Sequence, residues 1–186
     1  MPVPAGWTGV GIRVRVMVKA ASNPVPAMPH PSEMKYLERC IELAVEALEA
    51  GDQPFGSVLV SADGEILFED RNRTASGDAT RHPEFEIARW AARNMDEKAR
   101  AAATVYTSGE HCPMCAAAHG WVGLGRIVYI SSSRQLAAWM KELGARAPAV
   151  RGLPIQDIVP GLEVAGPVEG LSDRIRALHF RRHQRG

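Results

Sequence analysis

Little in these 186 residues points to a membrane, a nucleic-acid surface or a disulfide framework. The chain has three cysteines, too few to staple a small secreted scaffold, and with two of them open to a metal they suit a reducing, cytoplasmic compartment. No apolar run approaches the roughly 20 residues that a membrane-spanning helix needs. Charge of either sign is scarce in excess: 22 Lys and Arg stand against 21 Asp and Glu, a net +1, which gives no push towards a polyanion or a lipid surface. There is no internal repeat and no low-complexity tract. What remains is an ordinary globular composition, 46% hydrophobic, long enough for one domain with a proper core.

Residues 1–32 stand apart. They hold Pro24, Pro26, Pro29 and Pro31, and Val10, Ile12, Val14, Val16 and Val18 alternate with Gly11, Arg13, Arg15 and Met17. Period two allows an edge strand; the preferred reading is a poorly ordered, Pro-rich extension. Arg13, Arg15 and Lys19 interrupt any apolar core that a secretory signal would need.

From there the chain alternates helix and strand. Met34, Leu37, Ile41, Ala44, Val45 and Leu48 form one apolar stripe, which predicts a helix over Ser32–Ala50 with Ser32 as N-cap and Gly51 as its stop. Cys40 lies beside that stripe and reads as a core thiol. Ser57–Ser61 and Ile66–Glu69 read as strands joined at Asp63-Gly64. A polar loop, Arg71–Arg81, leads to a helix over Glu84–Arg93. Ala103–Thr107 reads as a central strand, Met114–Leu124 as a helix, Arg126–Ile130 as a strand and Ser131–Leu143 as a helix ended by Gly144. Ala145–Val159 reads as mostly irregular, Leu162–Ala165 as a short strand and Leu171–Arg185 as a helix with a basic end.

The chemistry concentrates in His82-Pro83-Glu84 and Cys112-Pro113-Met114-Cys115. A catalytic zinc takes three protein ligands and keeps a fourth place for water, whose pKa it lowers towards about 7. His82, Cys112 and Cys115 supply three ligands. Glu84, two residues beyond the His, is the unspent carboxylate and can shuttle protons. Pro83 and Pro113 read as first-turn prolines, so the ligands belong to two helix N-termini, where the dipole favours thiolate over thiol. A redox Cys pair or half of a structural zinc site is the plainer reading of Cys-x-x-Cys alone. No second such pair exists to complete an all-cysteine site.

The combination H-x-E followed by C-x-x-C is the recognised signature of zinc-dependent base deaminases. The chain resembles the cytidine deaminase-like superfamily, close to the bacterial guanine deaminase and cytosine deaminase group, over about Met34–Tyr129. Beyond the two motifs the resemblance rests on Pro54-Phe55-Gly56, Asn72, Asp78, Thr80, Thr107-Ser108 and Trp121. It implies an α/β fold, a three-layer α/β/α sandwich with a mixed sheet of about five strands. It also implies one Zn2+ per subunit, a small-molecule heterocyclic substrate and a homodimer, with the C-terminal tail exchanged between subunits as one variant. By the same resemblance Glu84 shuttles the proton and Asn72 hydrogen-bonds the substrate ring. The backbone around Phe55 and Gly56 forms a wall, and Trp121 lies near the pocket or the dimer contact. Two positions depart from the family pattern, Pro83 where Ala is usual and His111 where Pro is usual. Neither removes a ligand, and His111 is expected to add a titratable group at the rim.

Several roles stay open at this level. Glu110 either bonds loop N–H groups, the preferred reading, or assists the leaving ammonia. Asp78 and Thr80 read as loop braces and Glu86 as structural. His119 is a further candidate for the pocket. The C-terminal helix, with Phe180 and five arginines from Arg174 to Arg185, reads either as a lid over the pocket or as a solvated helix end. The expected organisation is the extension 1–32 followed by a deaminase domain over 33–186. The expected reaction is hydrolytic deamination of a free nucleobase or nucleoside with a guanine- or cytosine-like ring, aza-analogues included. A tRNA adenosine deaminase and a non-enzymatic zinc-stabilised binding module are the alternatives; nucleic acid and membrane are not expected partners.

Overall fold

A computed structural model describes residues 29–185. The alternating Val10–Val18 stretch lies outside the described residues.

The elements run α1 (Met34–Glu49), β1 (Gly56–Val60), β2 (Ile66–Arg71), α2 (Pro83–Asn94), α3 (Glu97–Ala102), β3 (Thr104–Gly109), α4 (Pro113–Val122), β4 (Ile127–Ser131), α5 (Ser133–Glu142), α6 (Ile155–Ile158), β5 (Val164–Ala165) and α7 (Leu171–Gln184). The five strands form one sheet in the order β2-β1-β3-β4-β5. β1 is antiparallel to both β2 and β3, while β3, β4 and β5 run parallel. The expected three-layer arrangement and mixed five-stranded sheet are therefore observed.

Strand alternation divides the core into two faces. Val58, Val60, Tyr106, Val128 and Ile130 point to a cluster shared with α1, Trp139 of α5 and Leu171, Ile175 and Leu178 of α7. Leu59 and Val105 point the other way, to Ile87, Ala88 and Ala91 of α2. Ile127 and Tyr129 meet Ala116 of α4 and Ile155 of α6 on that same side. Cys40 is fully buried in the α1 cluster, as its place beside the stripe implies. α1 lies so close to the sheet that a Cβ at residue 56 would sit 2.4 Å from Leu43 Cβ and 2.6 Å from the Cys40 carbonyl oxygen. Gly56 is required by helix packing, whatever else its backbone lines.

One local expectation is corrected, and two short helices are added. Ser32 is not the N-cap of α1: it lies inside a 3-10 turn, Pro31–Glu33, and its N–H donates to His30, which forms a capping box with Glu33. α3 has no apolar stripe and escapes periodicity; Asp96 begins it by accepting from Ala99 N at 2.8 Å. A one-turn helix, α6, interrupts the segment expected to be irregular.

Candidate metal centre and active site

Both ligand-bearing motifs sit at helix starts on one side of the sheet. His82 occupies the N-cap position of α2 with extended backbone (φ −92°, ψ 139°), and Pro83 takes the first helical position. Cys112 does the same for α4 (φ −67°, ψ 165°), followed by Pro113. Proline fits there because its missing N–H would have had no helical partner. α2 and α4 lie against each other, so the two N-termini converge.

His82 Nδ1 stands 3.6 Å from the sulfurs of both Cys112 and Cys115, and the sulfurs are 3.5 Å apart. Zinc bonds of about 2.3 Å to sulfur and 2.0–2.1 Å to nitrogen place tetrahedral donors about 3.5–3.8 Å from one another. The three side chains thus have the identity and spacing of a zinc site, and they are the one such group of three among the described residues. Electrostatics prepare it. The Cys115 thiol donates to Cys112, the His82 imidazole lies alongside, and the Cys112 pKa is held down at about 4. Cys115 is pushed up, chiefly by serving as that donor and then by burial. The neighbouring Cys112 thiolate raises His82.

Glu84 is 6% exposed, and burial raises its pKa above the usual carboxylate range. Its two oxygens differ. Oε2 lies 3.8 Å from Cys115 Sγ, beside the ligand cluster. Oε1 accepts from the hydroxyls of Ser57 (3.1 Å) and Thr107 (3.0 Å). A carboxylate buried next to three metal donors without joining their cluster is placed for proton transfer.

Asn72 is 2% exposed and tied to Phe55, the residue expected to form a wall, whose carbonyl accepts its backbone N–H at 3.0 Å. Its Oδ1 is taken up by Thr74 N and Oγ1, which leaves the Nδ2 donor for another group. Asp52 pins this loop by accepting from Ala75 N and Arg71. Asp78 braces it further through Thr80, and Glu86 pairs with Arg89, so neither carboxylate is directed at the cluster.

Three expected contacts are corrected, and for Glu110 the preferred reading holds over a substrate contact. Both Glu110 oxygens are occupied by backbone N–H groups, Ser133 and Ile155, each at 2.8 Å; the carboxylate starts α5 and α6 and is not offered to a substrate. Trp121 is 91% exposed on α4 and walls no pocket within this chain. Phe180 packs into the α1-side cluster, across the sheet from α2 and α4, with the Arg176 guanidinium 4.2 Å above its ring. His111 is not a rim group: it is 1% exposed, edge-on to the ring of His119, and burial holds its pKa low. His119 in turn is bonded to the Gly125 carbonyl.

The C-terminal helix docks on α1 and β4 of its own chain. Arg174 pairs with Glu38, Arg176 with Glu142, and Arg181 and Arg185 with Glu49. Arg174, Arg176, Arg181 and Arg185 are thereby neutralised locally. The helix reaches the wall through His179, which meets the Phe55 ring edge-on at 5.0 Å. A separate cleft of about 400 Å3, lined in part by Glu33, Tyr36 and Thr104, lies at the opposite strand ends. No helix among the described residues is long and apolar enough to cross a membrane.

Ser57, which donates to Glu84, is the contact that sequence reading passed over. The one signal available was a polar residue within an apolar strand run.

Comparisons with known proteins agree with this geometry. The family model for the cytidine and deoxycytidylate deaminase zinc-binding region matches residues 31–131. A probable cytosine deaminase of Schizosaccharomyces pombe is 27% identical over 139 residues, 73% of this chain and 83% of that protein. A guanine deaminase of Bacillus subtilis is 36% identical over 104 residues, 55% of this chain and 66% of that enzyme. tRNA-specific adenosine deaminases are also among the relatives. The solved structure of a guanine deaminase from Nitrosomonas europaea superposes with a TM-score of 0.61 at 17% identity, covering 87% of this chain and 90% of that one, a likeness of fold.

Proposed function

Because this chain belongs to the cytidine and deoxycytidylate deaminase family and carries its zinc-binding region, we propose that it hydrolytically deaminates a free nucleobase or nucleoside with a guanine- or cytosine-like ring. His82, Cys112 and Cys115 would hold the metal. Zinc bound there supplies a polarised water with a pKa near 7. Glu84 would take one proton from the water that attacks the carbon bearing the amine. Glu84 would give that proton to the ring nitrogen, then take the proton of the newly added hydroxyl and pass it to the amine, which leaves as ammonia as the C–N bond breaks and the C=O bond forms. The Asn72 Nδ2 donor holds a ring acceptor.

The observation that carries this reading is Glu84: a buried carboxylate with a raised pKa, one oxygen directed at the ligand cluster. A tRNA substrate is favoured by the tRNA-specific relatives but opposed by charge, since the C-terminal arginines are paired with acidic residues of the same chain. The exposed Trp121 suits a dimer contact. Three free thiols suit the cytoplasm.

The test is ammonia release from guanine, cytosine, isocytosine, adenine, their nucleosides and aza-analogues, with Glu84→Gln alongside. Expected is turnover of one ring class, reduced by 10² to 10⁴ in the variant at unchanged zinc content. Folded Glu84→Gln protein with full zinc and undiminished ammonia release would overturn the mechanism.

A further inference from the structure

Ser57 and Thr107 are direct partners in the β1–β3 pairing. Both are 0% exposed. Alternation sends residues 57 and 59 of β1, and 105 and 107 of β3, to the α2 face. Leu59 and Val105 fill the apolar cluster there. Ser57 and Thr107 are thus the polar end of an otherwise apolar double row, and a buried hydroxyl in such a row requires a partner. Their Oγ atoms are 2.8 Å apart, and both reach Oε1 of Glu84.

We propose that Ser57, acting with Thr107, is a positioning residue for Glu84: the hydroxyl pair ties Oε1 to the sheet and leaves Oε2 as the oxygen that exchanges protons at the ligand cluster. The inference rests on the reading of Glu84 as the proton shuttle.

The proton count explains why hydroxyls occupy these positions. Ser57 and Thr107 offer two O–H donors to three acceptors, Glu84 Oε1, Thr107 Oγ1 and the Gly109 carbonyl oxygen at 3.0 Å. A charged carboxylate is the strongest of the three and draws the donors. Once a proton sits on Oε2, the Thr107 hydroxyl can turn to the Gly109 carbonyl and the Ser57 hydroxyl to Thr107 Oγ1. No proton passes through either hydroxyl; each rotates about its own C–O bond. Both states of the carboxylate are then served with no heavy atom displaced. A fixed cation in the same place would favour the charged state alone and oppose the shuttle.

The experiment uses the zinc-loaded full chain in four variants, Ser57→Ala, Thr107→Val, Thr107→Ser and Glu84→Gln, with the substrate found by the ammonia panel. Ser57→Ala and Thr107→Val should each lower kcat about tenfold, leave KM within about twofold and keep zinc stoichiometry. Thr107→Ser should recover most of the loss, because the hydroxyl returns without the methyl. Crystal structures of zinc-loaded Ser57→Ala and Thr107→Val should show the Glu84 carboxylate turned from its wild-type orientation. Thr107→Val preserves shape, so it decides the matter if Ser57→Ala folds poorly. If Glu84→Gln is inactive while both hydroxyl deletions keep wild-type kcat, the positioning role is wrong and the shuttle stands. If Glu84→Gln keeps full turnover, the shuttle itself is wrong. A loss of kcat that follows loss of zinc would also overturn the positioning role. If no substrate emerges from the panel, carboxylate orientation alone decides: an unturned Glu84 in both deletions refutes the proposal.

Discussion

The sulfur of Cys112 accepts a hydrogen bond from the thiol of Cys115 at 3.5 Å, so the two cysteines of one helix turn are held in opposite protonation states. One is a thiolate with a pKa of about 4; the other keeps its proton.

Metal-free protein should therefore alkylate selectively. Nucleophilic reactivity belongs to the thiolate, and Cys112 is partly exposed while Cys115 and Cys40 are buried. Iodoacetamide at pH 6 should modify Cys112 first, and zinc loading should protect it. Peptide mapping by mass spectrometry reads the outcome. Initial labelling at Cys115 or Cys40, or equal labelling of all three, would contradict the assignment.

Glu110 makes a different kind of prediction. Its oxygens start two helices by accepting from Ser133 N and Ile155 N, 23 and 45 residues away in sequence. Hydrogen bonds to a charged acceptor are worth about 1.5–3 kcal/mol each. Glu110→Ala should thus cost on the order of 3 kcal/mol of stability in urea unfolding, and Glu110→Gln, which keeps one acceptor oxygen, clearly less. A direct role in the departure of ammonia would appear instead as lost kcat at unchanged stability, the result that would count against this account.

The ligand set was readable because it is local. Two helix-starting prolines beside a His and a Cys-x-x-Cys fix three donors with short-range geometry alone. The α/β/α layering came from the family resemblance; the residues themselves declared the buried face of α1 and the short apolar strand runs. What escaped depends on pairing across the sheet or between layers. Ser57 meets Glu84 only after β1 pairs with β3 and α2 lies over them. The arginines of α7 read as a free basic end until Glu38, Glu49 and Glu142 arrive from α1 and α5. Trp121 was assigned by family position, and nothing in helix spacing says that its side of α4 faces outwards.

His179 gives the pH prediction. Its ring is 2% exposed, packed edge-on to Phe55 and near Trp139, and its Nε2 has no hydrogen-bond partner. Burial lowers its pKa from 6.5 to about 4. A depressed folded-state value means that the unfolded chain takes up the proton first. The stability contribution is therefore complete above about pH 6.5 and is lost as the pH falls through 4. At about 1.4 kcal/mol per pKa unit the loss is on the order of 3 kcal/mol. His179→Leu removes the titrating group and the unpaired nitrogen together, so it should be near neutral at pH 7 and increasingly more stable than wild type below pH 6. Urea unfolding of both proteins in chelator, from pH 7 to pH 4, separates this from metal release, which is absent from both. Parallel stability curves would refute it. A divergence would mean that protonating His179 opposes the packing of α7 against Phe55 and Trp139, so the acid sensitivity of the fold lies in part at this one buried ring.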